Sequence, residues 1–166
     1  MNLRLPIALA LLLATFTLQP AQAAPPARTA SDKLSVIAWL DAANGRMDDI
    51  IVEVEVNGVK DWGRPNAEGQ VEFQLPADQV ALIHFRKPGH ITKSVQVDTH
   101  HMQDGAYKGK RRSIDFGVRM ETESTLPGQV FDGPVGIFAF ADGAGDLSVQ
   151  VDRHVVPATR KQTIVF

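Results

Sequence analysis

The chain has 166 residues, 44% hydrophobic and 22% charged, with a formal net charge of −2. These are ordinary globular proportions, so wholesale disorder is excluded, and the mild acidity argues against a general nucleic-acid binder. Cysteine is absent, which removes disulfides, thiolate metal sites and a cysteine nucleophile.

Met1 to Ala23 reads as an export signal. Arg4 gives a positive start, Leu5 to Leu18 is an apolar run of 14 residues, and Ala21-Gln22-Ala23 is an A-x-A cleavage site after Pro20. The run is shorter than the roughly 20 residues that a membrane-spanning helix needs. Cleavage after Ala23 removes one cation, taking the charge from −2 to −3, and leaves about 140 residues, enough for one domain with a single core. No later segment is apolar enough to span as a helix. The expected location is the periplasm or the exterior. Ala24 to Lys33 is Pro- and Ala-rich and reads as a flexible leader. The expected domain is Leu34 to Phe166, with an extension of unassigned role from Lys110 onward.

The remainder reads as strands. Ile51 to Val56 alternates Val52, Val54 and Val56 against Glu53 and Glu55, the period of a half-buried strand. Asn57-Gly58 is a hairpin signal. Val71, Phe73 and Leu75 alternate up to Pro76. Val80 to Phe85 is apolar enough for a central strand. Lys87-Pro88-Gly89 turns the chain into a strand over Ile91 to Val97. Asp98 to Gly109 is a long polar connection, expected to be a mobile loop. Strands follow over Ser113 to Met120, Val135 to Phe140 and Leu147 to Val151, with edge strands at Val155-Val156 and Ile164 to Phe166. No stretch keeps a 3.6-residue period over three turns. The pattern predicts an all-β sandwich of about seven to nine strands. Short, outwardly charged strands with one Tyr and two Trp do not fit a membrane barrel.

Two stretches carry a family resemblance. Pro65-Asn66-Ala67-Glu68-Gly69-Gln70-Val71-Glu72-Phe73-Gln74-Leu75-Pro76 resembles the hairpin of carboxypeptidase regulatory-like modules, and Phe85 to Lys93 resembles their next Gly turn. The likeness covers Leu34 to Val97 and implies a transthyretin-like, Ig-like Greek-key sandwich. That group includes the 5-hydroxyisourate hydrolases, and Leu34 to Asp41 with Asn44-Gly45-Arg46 is similar to their opening strand and turn. Ala38 stands where that family has its catalytic His, Gln70 where it has an Arg, and its C-terminal Y-R-G-S is missing. Neither alanine nor glutamine transfers a proton, so the resemblance implies the fold without the enzyme.

Among the groups with possible chemistry, Asp98, His100, His101 and Asp104 crowd one loop. Adjacent histidines on extended backbone point apart, so a metal site there needs a remote group; the alternative is a solvated polar loop. His84 reads as a hydrogen-bonded strand residue. Asp142-Gly143-Ala144-Gly145-Asp146 resembles part of a calcium loop but lacks its late Glu, and equally suits a tight turn. Lys108, Lys110, Arg111 and Arg112 form a basic cluster, either a contact for an anionic surface component or a guard against strand-edge pairing. Asp41, Asp48, Asp49, Glu53 and Glu55 make an acidic region. Trp62 is placed beside Gly63 at a hairpin tip as a possible exposed contact. No nucleophile elbow, phosphate loop or dinucleotide fingerprint occurs.

The expectation is therefore an exported, non-enzymatic module, a binding or structural accessory of the cell envelope. No cofactor, metal or catalytic residue is assigned. Trp62, Lys108, Lys110, Arg111 and Arg112 are the candidate contacts for an envelope protein or anionic surface component. The competing expectation is a metal-dependent hydrolase using the loop of residues 98–104.

Overall fold

A computed structural model describes residues 32–42 and 45–159. The expected export signal, most of the expected leader and the strand expected at Ile164 to Phe166 lie outside the described residues. Eleven strands occur in the order β1 (Lys33–Ala42), β2 (Ile51–Val56), β3 (Val59–Gly63), β4 (Gln70–Pro76), β5 (Val80–Arg86), β6 (Lys93–Asp98), β7 (Arg112–Met120), β8 (Gln129–Phe131), β9 (Gly136–Phe140), β10 (Leu147–Val151) and β11 (Val155–Pro157). A 3₁₀ turn at Gly105–Tyr107 is the only named helical element among the described residues, and no helix there is long and apolar enough to cross a membrane.

The all-β sandwich follows from the alternation. In β1, Leu34, Val36, Ala38, Leu40 and Ala42 are all buried, with every second residue facing out. β1 pairs antiparallel with β4 and parallel with β7, giving a three-stranded sheet in the order β4-β1-β7. The second sheet has six strands in the order β10-β9-β6-β5-β2-β3, with β6 and β9 parallel. The expected central strand, β5, lies inside this sheet between β6 and β2. β8 and β11 form a separate two-stranded ladder.

The sheets meet through their apolar faces. Phe85 on β5 contacts Phe116 on β7 edge to face at 6.4 Å between ring centroids, and Phe116 lies 4.9 Å from Phe138 on β9. Ile83, Phe85, Val52 and Val97 are fully enclosed between them. Burying side chains of this size is worth about 1.5–3 kcal/mol each.

Turn chemistry sets the register. Asn57 and Gly58 have φ of 52° and 76°, the left-handed pair of a type I′ hairpin between β2 and β3. At Asn66 a side-chain carbonyl accepts from the amides of Glu68 and Gln70, at 3.1 and 2.9 Å, so an Asx turn starts β4.

Four details depart from the sequence expectation. Among the described residues the strand count is eleven rather than about seven to nine, because β3 and β8 are held by backbone ladders and not by buried alternation. Lys33, expected in the leader, already belongs to β1, and the Asp32 carbonyl before it accepts from the Ala77 amide. Strand β6 begins at Lys93, two residues after Ile91. Trp62 sits in β3 opposite Glu53, and the hairpin tip is Asn57-Gly58.

Candidate functional site: a two-loop cluster and an open side

The connection between β6 and β7 and the turn between β9 and β10 are about 40 residues apart in sequence. The fold lays them together at one end of the sandwich, and Arg112 holds them there. The Arg112 guanidinium donates to the Met102 carbonyl at 2.8 Å and to the Gly145 carbonyl at 2.9 Å, one from each loop. It also stacks 3.8 Å from the Tyr107 ring centroid and 4.7 Å from that of Phe140. Tyr107 Oη donates to Asp146 at 3.2 Å. Arg112 is thus engaged inside the protein, unlike Lys108, Lys110 and Arg111, which are exposed. None of those three pairs with a carboxylate among the described residues.

The two histidines lie in a turn rather than on extended backbone, His101 at φ 60°, and they engage different carboxylates. Their ring centroids are 6.5 Å apart. His100 Nδ1 lies 2.6 Å from Asp98, while His101 Nδ1 lies 2.9 Å from Asp104 and 3.3 Å from Asp142. Asp142 is the remote group that the sequence could not name. The Gly143 amide donates to Asp104 Oδ2 at 3.0 Å. That amide, and the His101 contact after it, hold the Asp104 carboxyl below its ordinary range. The Asp104 hydrogen bond in turn raises the His101 imidazole. Gly143 and Gly145, at φ 71° and 73°, give the Asp142 to Asp146 segment the tight-turn backbone.

A second polar group lies on the outer face of the six-stranded sheet. Glu53 is buried there, with Lys60 Nζ at 2.6 Å and Arg86 at 3.6 Å. The Lys60 hydrogen bond holds the Glu53 carboxyl below its usual range. His84 Nδ1 bonds Ser94 Oγ at 2.8 Å, as expected for a strand histidine, and burial pushes the imidazole down. The acidic region is not free charge. Asp41 pairs with Arg119, Asp48 with Arg46, Asp49 with the buried Lys87, and Glu55 with Lys60.

The third feature was not foreseen. The six-stranded sheet extends past its three-stranded cover. Phe116 places β7 over β9, so β10 projects beyond it. Leu147, Val149 and Val151 stay 44%, 51% and 70% exposed on the face that elsewhere forms the core. A crevice of about 520 Å³ opens there, lined by Phe116 and Val118 of β7, Phe138 of β9 and Val149 and Val151 of β10. Trp62 is 57% exposed on the opposite edge strand.

Fold and sites together define an all-β sandwich with a cross-braced loop end and one uncovered side. No protein-family model matches the chain, and no curated protein matches it. Among solved structures, the chain is similar to one described as "Crystal Structure of S.CueP", at 13% identity and a TM-score of 0.37. The match covers 55% of this chain and 64% of that one, so the chain spans just under two thirds of its neighbour's length.

Proposed function

We propose that this protein is an exported, non-enzymatic module of the transthyretin-like kind, a binding or structural accessory of the cell envelope. Its occupant is an extended segment of an envelope polypeptide, taken up along the open side between β7 and β10. The observation that carries this reading is the mismatch of the sheets. Among the described residues, β7 has a strand neighbour on one side only, and the β10 valines beyond it are uncovered. A free edge beside an apolar patch is a liability unless something covers it. A strand added along β7 would gain main-chain hydrogen bonds and lay alternate apolar side chains over Val149 and Val151. Lys110 and Arg111, which pair with no carboxylate among the described residues, stand just before β7 and favour an acidic residue at that end of the segment.

Support for a non-enzymatic role comes from the positions that carry catalysis in the similar hydrolases. Ala38 is wholly buried in β1, and the Gln70 side-chain carbonyl accepts from the Asn66 side-chain amide at 3.4 Å. Neither transfers a proton. The export signal of Met1 to Ala23 supports the envelope location.

The test is affinity capture from envelope extracts with the tagged protein, its Val149→Lys/Val151→Lys variant and a Lys110→Ala/Arg111→Ala variant, each checked by circular dichroism. The reading expects a polypeptide held by the wild type, lost with the valine variant and weakened by the charge variant. A partner set retained equally by all three, or saturable hydrolytic turnover by the purified protein, would overturn it.

A further inference from the structure

Among the described residues, two groups of side chains place three nitrogen or carboxylate donors within 4.8 Å of one another: Glu53, Glu55 and His84 on the sheet, and His101, Asp104 and Asp142 at the loop end. Charge separates them. On the sheet, Lys60 and Arg86 already neutralise Glu53, and Lys60 also reaches Glu55 at 3.4 Å, so a cation would have to displace an ammonium. At the loop end, no Lys or Arg of the described residues pairs with Asp104 or Asp142. A single nitrogen, His101 Nδ1, faces both carboxylates. It carries at most one proton, and the Gly143 amide on Asp104 is a neutral donor, so no charged group of the described residues other than this imidazole offsets the two carboxylates.

The two spacings from His101 Nδ1 fit edges of a metal polyhedron, and all three donors lie within 4.8 Å of one another. Metal–ligand bonds of about 2.0–2.2 Å put neighbouring donors roughly 3.0 Å apart in an octahedron and roughly 3.4 Å apart in a tetrahedron. The His101 contacts measure 2.9 and 3.3 Å. The donors come from two separate loops that Arg112 and Tyr107 tie together, so they are positioned in advance. The Gly143 amide orients the Asp104 carboxylate as an outer partner. One imidazole with two carboxylates suits a first-row transition dication, whereas magnesium and calcium prefer oxygen alone.

We propose that His101, Asp104 and Asp142 bind one divalent transition-metal ion of the zinc kind, which takes the place of the shared proton and leaves its remaining positions to water. The site does not depend on the strand-docking reading, because it lies on other elements of the fold.

The probe is zinc itself, titrated into the purified, metal-stripped protein by calorimetry. Cobalt(II) absorption reports the ligand set, and magnesium and calcium serve as comparison ions. The proposal expects one zinc per chain, with Asp142→Asn and His101→Asn each weakening binding about tenfold or more, and Glu55→Gln leaving it unchanged. Asparagine suits position 101 because His101 has φ 60°. Asp142 is 89% exposed, so its variant folds whatever happens at position 101. Absence of saturable zinc binding below millimolar concentration would overturn the proposal. So would equal affinity in the Asp142 and wild-type proteins, and so would loss confined to the Glu55 variant, which would place the ion on the sheet.

Discussion

Replacing Arg112 by methionine tests whether one side chain braces the loop end. Methionine keeps the length and apolar stem but removes both hydrogen bonds, to the Met102 and Gly145 carbonyls. A hydrogen bond from a charged group contributes about 1.5–3 kcal/mol. Arg112 is only partly buried, so water can replace some of each, and the lower end applies. Two bonds then give about 3 kcal/mol. Stacking on Tyr107 and Phe140 adds roughly 0.5–1 kcal/mol, and the methionine stem recovers about 1 kcal/mol by contact with the same rings. The expected loss is about 2.5–3 kcal/mol in urea denaturation, or a fall in Tm of about 10 °C for a domain of this size. Hydrogen exchange should quicken at the amides of Gly143 and Tyr107, which bond within the braced loops. Arg111→Met, on an exposed neighbour, should stay within about 0.5 kcal/mol of wild type. A loss below about 1 kcal/mol with unchanged exchange would mean that Arg112 is an ordinary surface cation.

Other substitutions test the sheets and turns. Phe85→Ala removes a fully buried ring that touches Phe116, and should cost about 3–5 kcal/mol in the same denaturation assay. Gly69 has φ +85°, and an added Cβ would lie 2.5 Å from the Leu40 carbonyl oxygen, whereas Gly58 has φ +76° with open space around it. Gly58→Ala should therefore show the conformational cost alone, about 1–2 kcal/mol, and Gly69→Ala distinctly more; equal losses would refute the steric argument. Glu53 has a folded-state pKa below its ordinary 4.5. The unfolded chain therefore binds this proton first as the medium acidifies, and the stability from Glu53 is present above 4.5 and lost as pH falls through the folded value. A Tm–pH series should show Glu53→Gln less stable near neutrality, with a shallower acid slope than wild type; parallel curves would contradict the pairing.

The sheets were legible where burial and alternation coincide. The Val52 and Val54 face of β2, the Asn57-Gly58 turn and the Val71 and Leu75 face of β4 all stand as the two-residue period predicts. Strand β3 escaped because four of its five residues are exposed, and only the ladder to β2 makes it a strand. Arg112 was read by its charge as part of a surface cluster. Its parity was the overlooked signal, since it shares the inward phase of Ile114, Phe116, Val118 and Met120. Lys93 shows the same signal, in phase with Val95 and Val97 and buried like them. A cation in phase with apolar neighbours is held inside only if it finds acceptors, as Lys93 does at Glu121 and at the Arg119 carbonyl. The meeting of His101 with Asp142 had no local signal, because it depends on which strands flank β9.

Alternation in β10 misled for a related reason. A two-residue period says that the faces of a strand differ, not that a second sheet reaches far enough to cover one of them. Three strands cannot cover six, so the Leu147, Val149 and Val151 face lies open. The same asymmetry limits where a partner strand could pair. Lys93 Nζ donates to the Arg119 carbonyl at 2.6 Å, so an acceptor near the end of β7 is already taken. The stretch from Ser113 to Gly117 is the part of β7 next to Arg111 and farther from Lys93's bond. A photo-crosslinking residue placed singly at positions 113, 115, 117 and 119 should therefore trap the captured polypeptide at the first three more strongly than at the last. Crosslinking strongest at position 119 would contradict that register, and crosslinking at none of the four would remove β7 as the docking edge.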